Sequence, residues 1–296
     1  MIRTRDLTKR YGATHALEGL DLEIRAGGVL GFLGPNGAGK TTAIRLIAGL
    51  IRPSRGSAEV AGFDVARDPQ AVHARIGYLS GEFRAYRDLT AERYLRYLAD
   101  LRGGVDPARI ASLAERLDLP LRRRIGELSH GNRQKVGLVQ ALMADPPVLL
   151  LDEPTQGLDP LMQREFLGLI AEARDRGCAV LLSSHILSEV EAVADRIGIL
   201  RAGRLVALDA VDALRGRAVR RLDLVFAGPP PAEVVAAVPG VCILGTTDRT
   251  LHVEVEGSTA ALIAALGPHA VEDVVSHEPD LEEIFLSLYA DGGEPA

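Results

Sequence analysis

The run Gly34-Pro35-Asn36-Gly37-Ala38-Gly39-Lys40-Thr41-Thr42 fits the pattern G-x-x-x-x-G-K-[ST], whose chemistry is the holding of a polyphosphate. Its glycines let the backbone take positive φ and turn N–H groups inward as an anion nest. A helix following such a loop adds the positive end of its dipole. Lys40 supplies a compact point charge for the β- and γ-phosphates, where arginine's planar fork would be bulkier and differently aimed. The choice is informative, because only three of the 34 basic residues are lysines. Thr41 brings a hydroxyl for Mg²⁺. Asn36, Ala38 and Thr42 complete the loop that would wrap the phosphates of a nucleotide.

A second chemical run lies downstream. Val148-Leu149-Leu150-Leu151 is an unbroken apolar stretch, as expected of a parallel strand covered on both faces, and it ends in Asp152-Glu153. Two carboxylates at the C-terminal edge of a parallel sheet stand where α/β proteins bind ligands. Asp152 is expected to hold Mg²⁺ through water, and Glu153 to orient and polarise an attacking water.

The elements that must position these groups can be read from periodicity. Val29 to Leu33 reads as a buried strand and Thr42 to Leu50 as a helix. The stretches Ile2 to Leu7 and Ala16 to Ile24 alternate and predict an antiparallel β layer before the phosphate loop. Ala91 to Leu101 and Pro107 to Leu117 have helical spacing, with Asp106 as N-cap and Pro107 at the first helical position. Ala179 to Ser183 and Arg196 to Leu200 predict further buried strands, with a helix over Leu187 to Ala194. Strands alternating with helices imply an α/β core with a helical region inserted.

Composition shifts after Arg215, which divides the chain into 1–215 and 216–296. In the second part Arg220 to Phe226, Val241 to Thr246, Leu251 to Glu256 and Val271 to Ser276 read as strands. Pro231 to Val238 and a helix capped by Ser258 and running to Leu266 lie between them. This β-α-β-β-α-β order predicts a small α+β domain of ferredoxin-like type, closed by a helix from Pro279 to Tyr289.

The chain has 296 residues, a net charge of −6 and scattered basic residues, so no nucleic-acid surface is expected. Arg122-Arg123-Arg124 reads as a solvated loop before a helix. The two cysteines, Cys178 and Cys242, imply no disulfide framework. No apolar signal core opens the chain, and no run approaches the roughly 18 apolar residues of a membrane span. A cytoplasmic protein is expected.

Between the two chemical runs lies Leu128-Ser129-His130-Gly131-Asn132-Arg133-Gln134-Lys135. Here the chain resembles the ATPase subunits of ATP-binding cassette (ABC) transporters, whose signature is L-S-G-G-Q. The resemblance implies that Ser129 and Gly131 reach the γ-phosphate of ATP held by an opposite subunit. His130 and Asn132 depart from the commonest form. By the same resemblance Tyr11 stacks on adenine, Asp159 of Gly157-Leu158-Asp159 lies at the dimer seam, and His185 is the switch histidine that touches the γ-phosphate. The family's Q-loop glutamine should follow Ile76-Gly77-Tyr78-Leu79-Ser80, yet Gly81 and Glu82 stand there. Glu82, one residue late, is the candidate replacement as metal ligand. The segment Glu278 to Phe285 resembles the closing part of subunits serving drug and antibiotic exporters.

The resemblance implies an ATPase that dimerises, with itself or a homologous subunit, around two ATP–Mg²⁺. It would power export of a drug-, antibiotic- or lipid-like substrate through a separate multi-span permease from the cytoplasmic face of the membrane. Arg84 to Thr90 is the expected docking surface. Two other readings stand beside it. A soluble ATPase of ribosomes or DNA usually carries two cassettes or a coiled-coil insertion, and neither is seen. A non-hydrolysing regulatory module would have a broken centre, whereas Glu153 and His185 are both present.

Overall fold

In the computed structural model, residues 1–211, 213, 220–255 and 258–277 are described. The chain divides into two compact units, with the boundary between Asp209 and Ala210.

The first unit opens with strands β1 (Ile2–Tyr11) and β2 (Thr14–Ile24), followed by β3 (Val29–Leu33) and helix α1 (Lys40–Ile47). Then come β4 (Arg55–Val60), β5 (Phe63–Asp64), α2 (Pro69–His73) and β6 (Ile76–Leu79). Helices α3 (Ala91–Leu101), α4 (Pro107–Arg116) and α5 (His130–Leu142) form the helical insertion. The core resumes with β7 (Val148–Asp152), α6 (Pro160–Asp175), β8 (Ala179–Ser184), α7 (Leu187–Glu191), β9 (Arg196–Arg201) and β10 (Arg204–Ala210).

Among the described residues these strands make two sheets. One has the order β2-β1-β4-β5, with β1 antiparallel to both neighbours, so Ile2 faces Ile24 and Val60. Inward Ile2, Leu7, Leu17, Leu20 and Leu22 share a core with Ile44 and Ile47 of α1, while Arg3 and Arg5 alternate outward. The other sheet has the order β10-β9-β3-β8-β7-β6. Strands β9, β3, β8, β7 and β6 run parallel. The segments after β3, β7, β8 and β6 therefore leave at one edge, which carries the phosphate loop, Asp152-Glu153, His185 and Gly81-Glu82 together.

Local chemistry sets the helix ends. Thr90 caps α3 by accepting the Arg93 N–H, and Asp106 caps α4 by accepting that of Ala108. Helix α1 stops at Ile47, short of the expected Leu50, where Gly49 turns to φ 71°. That is the left-handed exit at which glycine carries no Cβ penalty. Helix α7 ends at Glu191, short of Ala194. The Arg122–Arg124 segment is exposed, and Thr90 pairs with Arg124. Helices α4 and α6 are joined by Arg116, which reaches Glu165 at 2.5 Å and both oxygens of Glu172 at 2.7 and 2.8 Å. Those hydrogen bonds, Glu172's first, raise the guanidinium pKa and hold the Glu172 carboxyl below the usual range. Burial pushes the Cys178 thiol up to about 12, while Cys242 is exposed, and both are free.

The second unit contains β11 (Arg220–Phe226), α8 (Ala232–Ala236), β12 (Val241–Thr247), β13 (Thr250–Val255), α9 (Ala260–Leu266) and β14 (Val271–His277). Its strand order is β12-β13-β11-β14, all antiparallel, which is the ferredoxin-like arrangement. Leu222, Leu224, Phe226, Leu251 and Val253 pack against Val235 of α8 and Leu262 of α9. On the other face Asp223 meets His252 at 2.6 Å and His277 at 2.9 Å. These bonds, His252's first, hold its carboxyl below the usual carboxylate range. Ser258 accepts the Ala260 N–H at 3.2 Å, although Thr259 occupies the cap position of α9. The expected closing helix over Pro279 to Tyr289 lies outside the described residues.

Strand β3 must admit α7 at close range. A Cβ on Gly31 would overlap Cγ1 of Val190, which is fully buried. Gly31→Ala should destabilise the chain by about 1–3 kcal/mol, the usual cost of overpacking. Denaturant unfolding measures this, and an unchanged midpoint would mean that α7 yields without cost.

Candidate nucleotide site

The phosphate loop joins β3 to α1, and Gly39, at the α1 N-cap, has φ 106°. A Cβ there would stand 2.7 Å from the Ala16 carbonyl oxygen, so the loop is closed against the β1–β2 hairpin. Thr14, His15 and Ala16 of that hairpin, residues Pro35 to Thr42 and Glu153 line a cleft of about 350 Å³. A larger cavity of about 790 Å³ opens at the other end of β3, among Arg25, Gly28 and Arg196, and holds none of these groups.

Lys40 is only 5% exposed. Its ammonium donates to the Gly34 carbonyl, lies 3.4 Å from that of Pro35, and stands 3.2 Å from Glu153 Oε1. The last contact is an ion pair without hydrogen-bond alignment, since Oε1 is buried and accepts no hydrogen bond. Glu153 Oε2 meets His185 Nδ1 at 2.7 Å. One carboxylate therefore bridges the loop lysine and the histidine after β8.

Asp152 is 1% exposed, and its Oδ1 accepts from Thr41 at 3.1 Å and from Ser183 at 2.7 Å. Carboxylate and hydroxyl oxygens so placed suit a hard cation such as Mg²⁺. The segment after β6 also passes close by, because a Cβ on Gly81 would lie 3.3 Å from Asp152 Oδ2. The Glu82 side chain turns elsewhere. It is 76% exposed and pairs with Arg84 at 3.0 Å.

Ser129, Gly131 and Asp159 do not line the cleft. Ser129 caps α5 by accepting the Asn132 N–H at 3.2 Å. Asp159 caps α6 by accepting from Leu161 and Met162 at 3.1 Å. Their segments touch, since a Cβ on Gly131 would fall on the Gly157 carbonyl oxygen.

Three supporting residues escaped the sequence reading. Gln134, 1% exposed, donates to the carbonyls of Glu153 at 3.1 Å and Pro154 at 3.3 Å. Glu189 Oε2 accepts from Thr155 at 2.6 Å and Ser184 at 2.8 Å, tying the stretch after Glu153 to that before His185. Ser183 is the third.

The sequence matches the protein-family model described as ABC transporter over residues 17–156. It is 38% identical to a daunorubicin resistance ATP-binding protein of Streptomyces coeruleorubidus over 96% of this chain and 94% of that one. A bacitracin transport ATP-binding protein of Bacillus licheniformis is 36% identical over 79% and 78%. The solved ATP-binding subunit of an ABC transporter superposes with a TM-score of 0.67 at 32% identity, over 73% of this chain and 92% of that chain. A bacterial ABC transporter cassette solved as a dimer, 22% identical, shares the fold with a TM-score of 0.66 over 71% and 99%. The chain belongs to the ABC transporter family, among its ATPase subunits.

Tyr11 ends β1 opposite Thr14, with its ring 54% exposed and Lys9 Nζ 5.0 Å from the centroid. An exposed ring beside the cleft is available for stacking on a base, a contact worth about 1–3 kcal/mol. Tyr11→Ala should raise the KM for ATP about ten- to hundredfold at similar kcat. Steady-state kinetics check this, and an unchanged KM would remove Tyr11 from the site.

Proposed function

We propose that this subunit binds and hydrolyses ATP in a pair, with a second copy or a homologous subunit, and so drives export through a separate multi-span permease. The work would be done at the cytoplasmic face of the membrane. Among the described residues no helix is long and apolar enough to cross one. Residues 1–215 would form the nucleotide-binding domain and 216–296 an accessory domain. The observation that carries the reading is the bridge from Glu153 to Lys40 and His185 beside Asp152 and Thr41.

That geometry supports a division of labour. The nest from Gly34 to Thr42, with Lys40, binds the phosphates. As the γ-phosphate arrives it takes Lys40 over from Glu153, whose freed carboxylate then accepts a proton from water. The water oxygen bonds to the γ-phosphorus, and the bond to the β–γ bridging oxygen breaks, leaving ADP and phosphate. His185, already beside Glu153, contacts the γ-phosphate and orients the pair. Mg²⁺, held by Thr41 and by Asp152 through water, would neutralise phosphate charge. Glu82 would join it only after leaving Arg84.

Ser129 and Gly131 would complete the site of the opposite chain, with Asp159 at the seam. The permease would dock on Arg84 to Thr90, where Arg84 and Tyr86 are exposed. The backbone of Arg87 and Leu89 is pinned there by hydrogen bonds to Gly126 and Ile125 at 2.9 Å. Export, and a drug- or antibiotic-like cargo, is supported by the daunorubicin and bacitracin relatives.

Glu153→Gln removes the base and one negative charge beside the γ-phosphate. Hydrolysis should fall by about 10²–10⁴, while ATP affinity holds or improves as like-charge repulsion is relieved. Size-exclusion chromatography should show an ATP–Mg²⁺-dependent dimer, absent with ADP and abolished by adding Ser129→Arg. Undiminished turnover would exclude Glu153 as the base, and a dimer indifferent to Ser129→Arg would exclude the sandwich. Lys40→Ala should weaken ATP binding, and full retained turnover would refute the phosphate-loop assignment.

A further inference from the structure

Glu153 has φ 47°, in the left-handed region that a non-glycine residue enters only when its surroundings impose it. Strand β7 ends one residue earlier, at Asp152, so the turn takes the Glu153 N–H out of the ladder. That N–H donates to Ser183 Oγ at 3.0 Å. Ser183 faces Asp152 across the β7–β8 register and is fully buried. Its own proton goes to Asp152 Oδ1 at 2.7 Å. A hydroxyl with one proton and two lone pairs meets both demands at once. Donation to a carboxylate commits the proton, which leaves a lone pair for the amide. The neighbouring hydroxyls serve elsewhere, Ser184 and Thr155 both donating to Glu189.

We propose that Ser183 is a positioning residue for hydrolysis. It holds the backbone of Glu153 in its left-handed turn, in fixed relation to Asp152, and so aims the carboxylate at Lys40 and His185. This inference rests on Glu153 being the base. Ser183→Ala keeps the volume of the buried site but removes both bonds, so the chain should fold while Glu153 loses its register.

The test uses the purified full-length chain and four forms: parent, Ser183→Ala, Glu153→Gln and the double variant. Single-turnover hydrolysis and binding of a fluorescent ATP analogue are both measured. Ser183→Ala should slow hydrolysis roughly ten- to hundredfold, the scale of a misplacement near 1 Å. Analogue affinity should stay within about twofold of the parent. In the Glu153→Gln background the serine change should slow hydrolysis no further, because Ser183 acts through Glu153. A rate within twofold of the parent overturns the proposal. So does analogue affinity falling in parallel with the rate, or a double variant slowed by the full factor of the single one. A Glu153→Gln variant as fast as the parent would instead overturn the assignment of the base.

Discussion

An ammonium group 5% exposed at the end of the central strand is the constraint around which this fold is arranged. Removing such a charge from water costs several kcal/mol unless opposing charge and dipoles replace the solvent. Two loop carbonyls and the Glu153 carboxylate replace it here. The carbonyls require the backbone to double back within six residues of Lys40, which the glycines permit. The carboxylate requires β7 to end within reach of the loop, with β8 between β7 and β3 supplying His185 to the same carboxylate. In the proposed cycle a phosphate takes the place of an internal carboxylate, so the pocket is electrically satisfied before and after ATP enters.

Sequence legibility followed the range of the interactions. The phosphate loop could be read because its chemistry is local and consecutive. Asp152-Glu153 could be read because the apolar run before them reports a covered strand. The second unit was legible in order because Leu222, Leu224 and Phe226 alternate as cleanly as Leu251, Val253 and Val255. Strand β4 was not, since Gly56 at φ 77° interrupts any alternation over Arg55–Val60. Helix α6 is not read from the sequence although Asp159-Pro160 carries a cap and a first-turn proline, since Asp159 is weighed there only as a residue of the dimer seam.

The supporting residues were illegible for another reason. Ser183 meets its partner 31 positions away, and Gln134 meets Glu153 across 19. Both pairings follow from packing that no local pattern announces. Glu82 shows the converse: a residue type suited to a metal sits near the expected place, while its charge is taken by Arg84 two positions on. Position along the chain and chemical type did not settle where that side chain points.

The contact between Gly131 and Gly157 leaves less clearance than a methyl group needs. Two segments so close leave no room for a side chain between them, so the start of α5 and the turn into α6 pack backbone to backbone. Arg116 ties α4 to α6 further along, so the helical insertion is braced at two separated points. A body braced in this way transmits rotation with little slack. In the proposed pair, a small tilt of the insertion would carry Ser129 and Asp159 together, and the gap facing the other chain would open or shut as one hinge leaf.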